Sequence, residues 1–186
     1  MKYIAYCRKS REEKDKQILS IEAQIEEIKE FAKRESLEIS EFVTEAKTAK
    51  IPGRESFNTV VRKIEKGFAQ GILAWHPDRL ARNSVDGGKI IYLLDTGKLI
   101  DLKFPSFWFE NTPQGKFMLS IAFGQSKYYV DNLSENVKRG LRQKIRNGIW
   151  PSKAPYGYIN NFQTRGIEVD VKKAKGILKA FEMFTK

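Results

Sequence analysis

The sequence predicts an α/β protein with a mostly parallel central sheet flanked by helices, followed by a long helix and the start of a second domain. Strand-like and helix-like segments alternate along roughly the first 111 of the 186 residues, as they do in proteins with a parallel sheet. Hydrophobic residues make up 41% of the chain and charged residues 31%, which is enough apolar material for a packed core.

The first half of this pattern begins with a strand over residues 3–8. After a polar loop, Ser20 is a plausible N-cap for a helix, with isoleucines at helical spacing behind it. Residues 38–43 alternate like a second strand, and residues 55–67 predict a helix that ends at Gly67.

The second half begins with a short buried strand over residues 71–75. A helix is expected to follow from about Asp78 or Ser84 to Gly97, and two more strands are expected near 101–104 and 107–109.

From Thr112 onwards the pattern is helical to about Gly148, a length of about 50 Å at 1.5 Å per residue. We expect this helix to extend beyond the first domain, because it is longer than that domain. Residues 150–161 resemble a turn-rich linker, and a helix-like stretch over 171–186 has little chain left to cover its apolar row. We therefore expect a chain cut inside a second domain, with divisions at 1–111, 112–148 and 149–186.

Several classes of protein and site are disfavoured. No stretch approaches the roughly 18 consecutive apolar residues of a membrane span, and the N-terminus becomes charged too early for a secretory signal. We expect a soluble, cytoplasmic protein with no membrane partner. A single cysteine, Cys7, and a single histidine, His76, cannot form a zinc cluster, so no zinc site is expected.

The charge distribution points to a polyanionic partner. The formal net charge is +11, and residues 136–153 contain six basic side chains and no acidic one. A solvated helix face is the alternative explanation for this run. Within the long helix, the candidate contacts for such a polyanion are Lys138, Arg139, Arg142, Lys144 and Arg146.

Two polar segments follow predicted strands. Tyr6, Arg8 and Ser10 alternate at the end of the first strand, so their side chains would face one side if the strand persists. The segment from Asp78 to Asn83 follows the strand at 71–75, and Arg79 and Arg82 could converge on one phosphate if the turn is helical. Loops at the carboxyl ends of parallel strands are the usual ligand sites. Each segment alone could also be a solvated loop or a capped surface helix.

The surroundings of Ser10 favour phosphate chemistry over acyl transfer. A serine nucleophile in acyl transfer usually needs a histidine base, and this chain has one histidine. Phosphoryl transfer depends mainly on positioning and on positive charge, which arginines supply.

These segments together resemble the serine site-specific recombinases, the family of resolvases and invertases, and within it the large serine recombinases. The matching segments occur in the same order as in the family and together span about the first 160 residues. They are residues 6–10, 20–24, 52–54 with Phe57, 78–83, Gly115-Lys116 and 155–158.

The resemblance implies a resolvase-like catalytic domain that cuts and rejoins double-stranded DNA. Ser10 would attack a phosphodiester to give a 5′-phosphoserine link, with Arg8, Arg79 and Arg82 around the phosphate. Asp78 would position an arginine or the leaving hydroxyl, and Gln24 would orient the nucleophile region. Further phosphate or DNA contacts would come from Tyr6, Thr48 and Arg54. It also implies a reaction without a metal or a cofactor, a homodimer at each site, a homotetramer at synapsis, and a bacterial, phage or mobile-element source.

Two departures from the family pattern concern Thr48 and the long helix. Many relatives have a Ser-Gly pair where this chain has Lys-Thr-Ala-Lys at residues 47–50. Many also have an acid-rich motif where this chain has Gly-Gln-Ser-Lys-Tyr-Tyr at residues 124–129, and no catalytic residue is assigned to that stretch. Two other functions remain open: a non-catalytic DNA-binding regulator that uses the basic helix, and a phosphodiester hydrolase that releases its intermediate to water.

Overall fold

Four parallel strands form the central sheet of the first of two compact units, Met1–Asp131 and Asn132–Lys186. The computed structural model describes residues 1–9 and 20–185. The strands are β1 (Lys2–Arg8), β2 (Glu38–Glu45), β3 (Gly71–Ala74) and β4 (Asp101–Lys103), in the spatial order β2-β1-β3-β4. The fold class expected from the sequence is confirmed.

One or two helices follow each of these strands along the chain. They are α1 (Ile21–Arg34), α2 (Glu55–Glu65), α3 (Pro77–Leu80), α4 (Ser84–Asp95) and α5 (Pro113–Arg146). Ser20 caps α1 as predicted, because its side chain accepts a hydrogen bond of 3.1 Å from the amide of Ala23. Gly67, at φ +76°, follows the end of α2 in the left-handed conformation that glycine adopts without strain.

The two faces of β1 belong to different core clusters. Tyr3, Ala5 and Cys7 pack with Ile28 of α1 on one face. Ile4 and Tyr6 join the cluster on the other face, together with buried side chains of α2, α4 and the first part of α5. Because strand side chains alternate, Arg8 shares the face of Tyr6.

One sequence prediction in this unit is wrong. Residues 107–109, which the structure describes, form no strand. Pro105, two residues before this segment, cannot donate a ladder hydrogen bond, and the buried side chains of Phe104 and Phe109 anchor the chain on either side of it. The helix expected from Asp78 or Ser84 to Gly97 begins at Ser84, as the second of the two predicted starts has it. A separate short helix, α3, precedes it, because the backbone is extended at Ala81 and at Asn83, and Asn83 caps α4.

The predicted long helix is confirmed as α5. Thr112 accepts a hydrogen bond of 3.1 Å from the amide of Gly115 at its start, and Pro113 occupies the first turn, where no amide donor is needed. Gly115 is sterically required, since an added Cβ would lie 1.8 Å from the carbonyl oxygen of Glu110.

The second unit contains an antiparallel hairpin that the sequence interpretation missed. Its strands are β5 (Tyr158–Asn160) and β6 (Ile167–Val169), and helix α6 (Val171–Phe184) follows. Residues 150–161 are therefore not only a linker, because their last part pairs with β6. Asp170 caps α6, and the predicted apolar row of that helix is exposed, including Phe181 and Phe184.

Candidate active site

The sheet topology creates a crevice at the carboxyl ends of β1 and β3. These strands are neighbours, yet α1, which follows β1, and α4, which follows β3, belong to clusters on opposite faces. The loops after the two strands therefore diverge, which is the arrangement where open α/β sheets bind ligands. Arg8 and the segment from Asp78 to Asn83 both lie at this point, as expected.

Arg8 is fully buried at the end of β1. Its guanidinium group donates hydrogen bonds to three backbone carbonyls, of Arg79 at 3.3 Å and of Lys47 and Asp78 at 3.5 Å. Arg8 thereby links the end of β1 to the loop after β2 and to α3. A positive charge is fixed where three loops meet.

Gln24 holds the backbone of Arg8. The amide of Arg8 donates to Gln24 Oε1 at 3.2 Å, and Gln24 Nε2 donates to the Arg8 carbonyl at 3.1 Å. Gln24 is buried on α1, so this helix fixes the strand end two residues before Ser10. Ser10 itself lies outside the described residues.

Asp78 brings together the two arginines of the second segment. Its Oδ2 atom lies 2.8 Å from a terminal nitrogen of Arg82, and its Oδ1 atom lies 3.4 Å from Nε of Arg79. A shared helical turn was the condition under which the sequence predicts that both arginines converge, but α3 ends at Leu80 and Arg82 lies beyond it. The carboxylate, rather than helical spacing, sets their separation.

Asp78 is a carboxylate at neutral pH. Burial by itself would raise the pKa of Asp78, but the hydrogen bond with His76 and the guanidinium groups of Arg79 and Arg82 outweigh it and hold that pKa well below its ordinary value. Arg79 is 2% exposed and lies over the ring of Trp75 at 5.7 Å, whereas the Arg82 side chain keeps 18% exposure. Arg82 is thus the most accessible arginine of the cluster.

Arg54 is buried beneath this cluster. It forms an ion pair of 3.0 Å with Asp86 and donates to the Tyr6 hydroxyl at 3.0 Å and to the Leu80 carbonyl. It also lies 4.2 Å from the centre of the Phe57 ring. In this arrangement Arg54 and Tyr6 join β1, α3 and α4 from inside.

Thr48 lies in the loop after β2, and its hydroxyl accepts a hydrogen bond of 3.3 Å from the amide of Lys50. The loop is close to the cluster, because the carbonyl of the adjacent Lys47 accepts from Arg8. Thr48 is partly exposed.

A model of the resolvase N-terminal domain family matches residues 3–150. The chain belongs to the resolvase family. This match covers both the Arg8 end of β1 and the Asp78 segment.

Similar proteins and structures agree with this assignment. A Bacillus subtilis (strain 168) protein whose name describes it as a DNA recombinase is 26% identical over 182 residues, which is 97% of this chain. The chain spans 36% of the length of that relative.

Two solved structures share the fold. The N-terminal catalytic domain of TP901-1 integrase matches with a TM-score of 0.55 and 21% identity, covering 72% of this chain and 99% of that one. The C-terminal catalytic domain of ISC1926 TnpA, an IS607-like serine recombinase, matches with a TM-score of 0.50 and 16% identity, covering 77% and 85%.

The basic side chains of this resolvase-family chain lie on the part of α5 that belongs to the second unit. They are exposed to solvent, and one of them, Arg139, donates to Asn136 on its own helix. The row of apolar residues beside them is also exposed, with Leu133 at 51% and Ile145 at 61%.

Several residues of the site were missed from the sequence. Asn83 accepts from the amide of Asp86 at 2.9 Å and donates to its carboxylate at 2.8 Å; the spacing of an Asn three residues before an acid could have revealed this cap. Glu45 is buried and accepts from the amide of Phe57 at 3.2 Å, at the start of α2. No local signal marks that long-range contact.

In the described residues of this resolvase-family chain, no helix is long and apolar enough to cross a membrane. Within the same residues no group of three or more His, Cys, Asp or Glu side chains is placed to hold a metal ion.

Replacing Arg54 by Met should lower the free energy of unfolding by about 3–5 kcal/mol, because the change leaves the buried Asp86 carboxylate without its cation. Lys63→Met is the matched control, since it breaks the half-exposed pair with Glu41 and should cost at most about 1 kcal/mol. Urea unfolding of both variants measures the difference. Equal losses would show that the Arg54 pair contributes no more than a surface pair.

Proposed function

We propose that the protein is a site-specific DNA recombinase that cuts and rejoins DNA through Ser10. The proposal rests on one observation above all: a chain of the resolvase family gathers Arg8, Arg79, Arg82 and Asp78 at the crevice beside the end of β1. Clustered guanidinium groups suit a phosphodiester, because they can bind its oxygens and stabilise the charge of the transition state.

The proposed reaction is a transesterification. The Ser10 hydroxyl loses its proton and attacks the phosphorus, a bond from Oγ to phosphorus forms, and the bond from phosphorus to the 3′ oxygen breaks as that oxygen takes up a proton. A 5′-phosphoserine link and a 3′-hydroxyl result. After strand exchange a 3′-hydroxyl attacks the link and releases Ser10, so the ester bond energy is kept and no nucleotide cofactor is needed.

The proposed roles follow from exposure. Arg82 at the rim of the cluster would contact the phosphate first, and Arg8 and Arg79, which now donate to backbone carbonyls or pair with Asp78, would turn toward it when DNA fills the crevice. Gln24 would fix the strand that leads to Ser10. Thr48 would add a hydroxyl from the neighbouring loop, and Arg54 with Tyr6 would support the site from beneath or join the phosphate contacts.

The proposed division of labour has three parts. Residues 1–111 would form the catalytic domain, residues 112–148 a helix for oligomerisation and DNA contact, and residues 149–186 a linker and part of a DNA-binding domain. The protein would bind double-stranded DNA as a homodimer and form a homotetramer at synapsis, with the exposed apolar row of α5 covered by another subunit or by the DNA-binding domain.

Cleavage should persist in excess EDTA, because arginines take the place that Mg²⁺ has in many phosphoryl transfers. The complete protein is mixed with duplex DNA selected for cleavage from a random pool, then denatured and run on a gel. DNA ends that carry covalently attached protein are expected with and without EDTA.

The other outcomes separate the alternatives. Activity that is lost in EDTA and restored by Mg²⁺ would contradict the proposal and favour a metal-dependent nuclease. Protein-free ends would indicate a hydrolase, and binding without any cleavage would indicate a DNA-binding regulator.

Removing three basic side chains from α5 should weaken binding to all DNA sequences alike. The slope of log affinity against log salt should fall by up to about three units when the variant carries Ala at Arg139, Arg142 and Arg146. The control removes the same charge from α1, with Ala at Lys29, Lys33 and Arg34, and should keep the slope. An unchanged slope in the α5 variant would mean that this face is only solvated.

A further inference from the structure

His76 lies directly before α3 and contacts the central carboxylate of the candidate site. Its Nδ1 atom is 3.2 Å from the backbone nitrogen of Asp78 and 3.2 Å from the Oδ1 atom of the same residue. A protonated Nδ1 donates to the carboxylate, and an unprotonated Nδ1 accepts from the amide. In both cases the ring is tied to Asp78.

The imidazole ring is held by neighbouring aromatic side chains. The centre of the Phe107 ring lies 5.9 Å from the centre of the imidazole ring in an edge-to-face arrangement. The centre of the Trp75 ring lies 6.1 Å from it at a tilted angle. Ser106 bonds to the carbonyl of Trp75 through both its amide and its hydroxyl, which fixes the segment that carries Phe107. The ring therefore has a defined place rather than a free rotamer.

The two oxygens of the Asp78 carboxylate have different partners, so these contacts depend on how the carboxylate is rotated. Oδ1 lies near His76 and near Nε of Arg79, and Oδ2 binds Arg82. A rotation of the carboxylate would change its contacts with both arginines at once. A group that fixes this rotation also fixes where Arg82 presents its guanidinium group.

We propose that His76 is a positioning residue, which orients the Asp78 carboxylate and through it Arg82. The inference rests on the proposed function, in which Arg82 contacts the scissile phosphate. A simple helix cap is the competing role, since the contact with the Asp78 amide alone would cap the four-residue helix α3.

A double-mutant cycle separates the two roles. His76→Phe keeps an aromatic ring against Phe107 and removes Nδ1, and His76→Asn keeps a polar atom near the Nδ1 position. Both are made with and without Asp78→Asn. A cap acts on the backbone amide, so its loss would be felt equally in both backgrounds, whereas a positioning effect requires the Asp78 carboxylate.

The first readout needs no activity. The guanidinium signals of Arg82 in the NMR spectrum of the DNA-free protein, assigned through Arg82→Lys, should shift in His76→Phe and stay near their wild-type position in His76→Asn. In the Asp78→Asn background, His76→Phe should cause no further shift. Arg82 signals unmoved by His76→Phe, or moved equally in both backgrounds, would overturn the proposal.

The second readout is cleavage of selected duplex DNA. His76→Phe should lower the cleavage rate about tenfold without changing the dissociation constant for DNA, and should have no further effect on Asp78→Asn. Additive losses would overturn the proposal. A wild-type protein that binds DNA but never cleaves it would defeat the proposed function, while the NMR comparison would still decide whether His76 orients Asp78.

Discussion

Replacing Ser10 by Ala should reduce strand cleavage by at least about 10⁴-fold while DNA binding stays nearly unchanged. The hydroxyl is the proposed nucleophile, so its removal eliminates the covalent step, yet one oxygen atom adds little to the binding surface. Single-turnover cleavage of selected duplex DNA and a gel-shift titration measure the two effects separately.

The matched control is Ser120→Ala, whose exposed hydroxyl donates a hydrogen bond to the carbonyl of Lys116 on its own helix. This variant should cleave at the wild-type rate. Cleavage by Ser10→Ala near the wild-type rate would remove Ser10 from the reaction.

Replacing Arg82 by Lys should lower the cleavage rate by about 10²–10³-fold, the range seen when one preorganised transition-state donor is lost. Lysine keeps the charge but loses the planar fork that can bind Asp78 and a phosphate oxygen together. Arg79→Lys should be at least as severe, because that guanidinium is buried beside Trp75 and its lysine substitute would leave the Asp78 contact unmet.

Arg62→Lys is the control for both variants, since Arg62 lies on α2 and donates to Thr59. It should cleave like the wild-type protein. Full activity in Arg82→Lys and Arg79→Lys would mean that these arginines are structural, and circular dichroism would confirm that each variant is folded.

Local signals accounted for most of the fold. A serine before an apolar helical pattern predicted the start of α1, and alternation predicted β1 and β2, because both depend on neighbours in the sequence. The segment at 107–109 failed for the opposite reason: its aromatic residues resemble a strand, but Phe107 packs against Phe104 and His76 instead of joining a strand ladder.

The site was predictable in its location but not in its contacts. Ligand sites at strand ends are a property of the topology, so Arg8 and Asp78 could be placed together. The pairing of Arg54 with Asp86 could not be predicted, because 32 residues separate them and only tertiary packing brings them together. The burial of each arginine was also not predictable. The sequence makes both Arg54 and Arg82 candidates for phosphate contact, whereas in the structure Arg54 is buried and Arg82 is partly exposed.

The central claim is tested most directly by locating the covalent link between protein and DNA. The complete protein is reacted with a cleaved duplex, denatured during turnover, digested with nuclease and protease, and examined by tandem mass spectrometry. The account predicts a nucleotide attached through its 5′-phosphate to Ser10. A link at another residue, or cleaved DNA with no covalent protein, would contradict it.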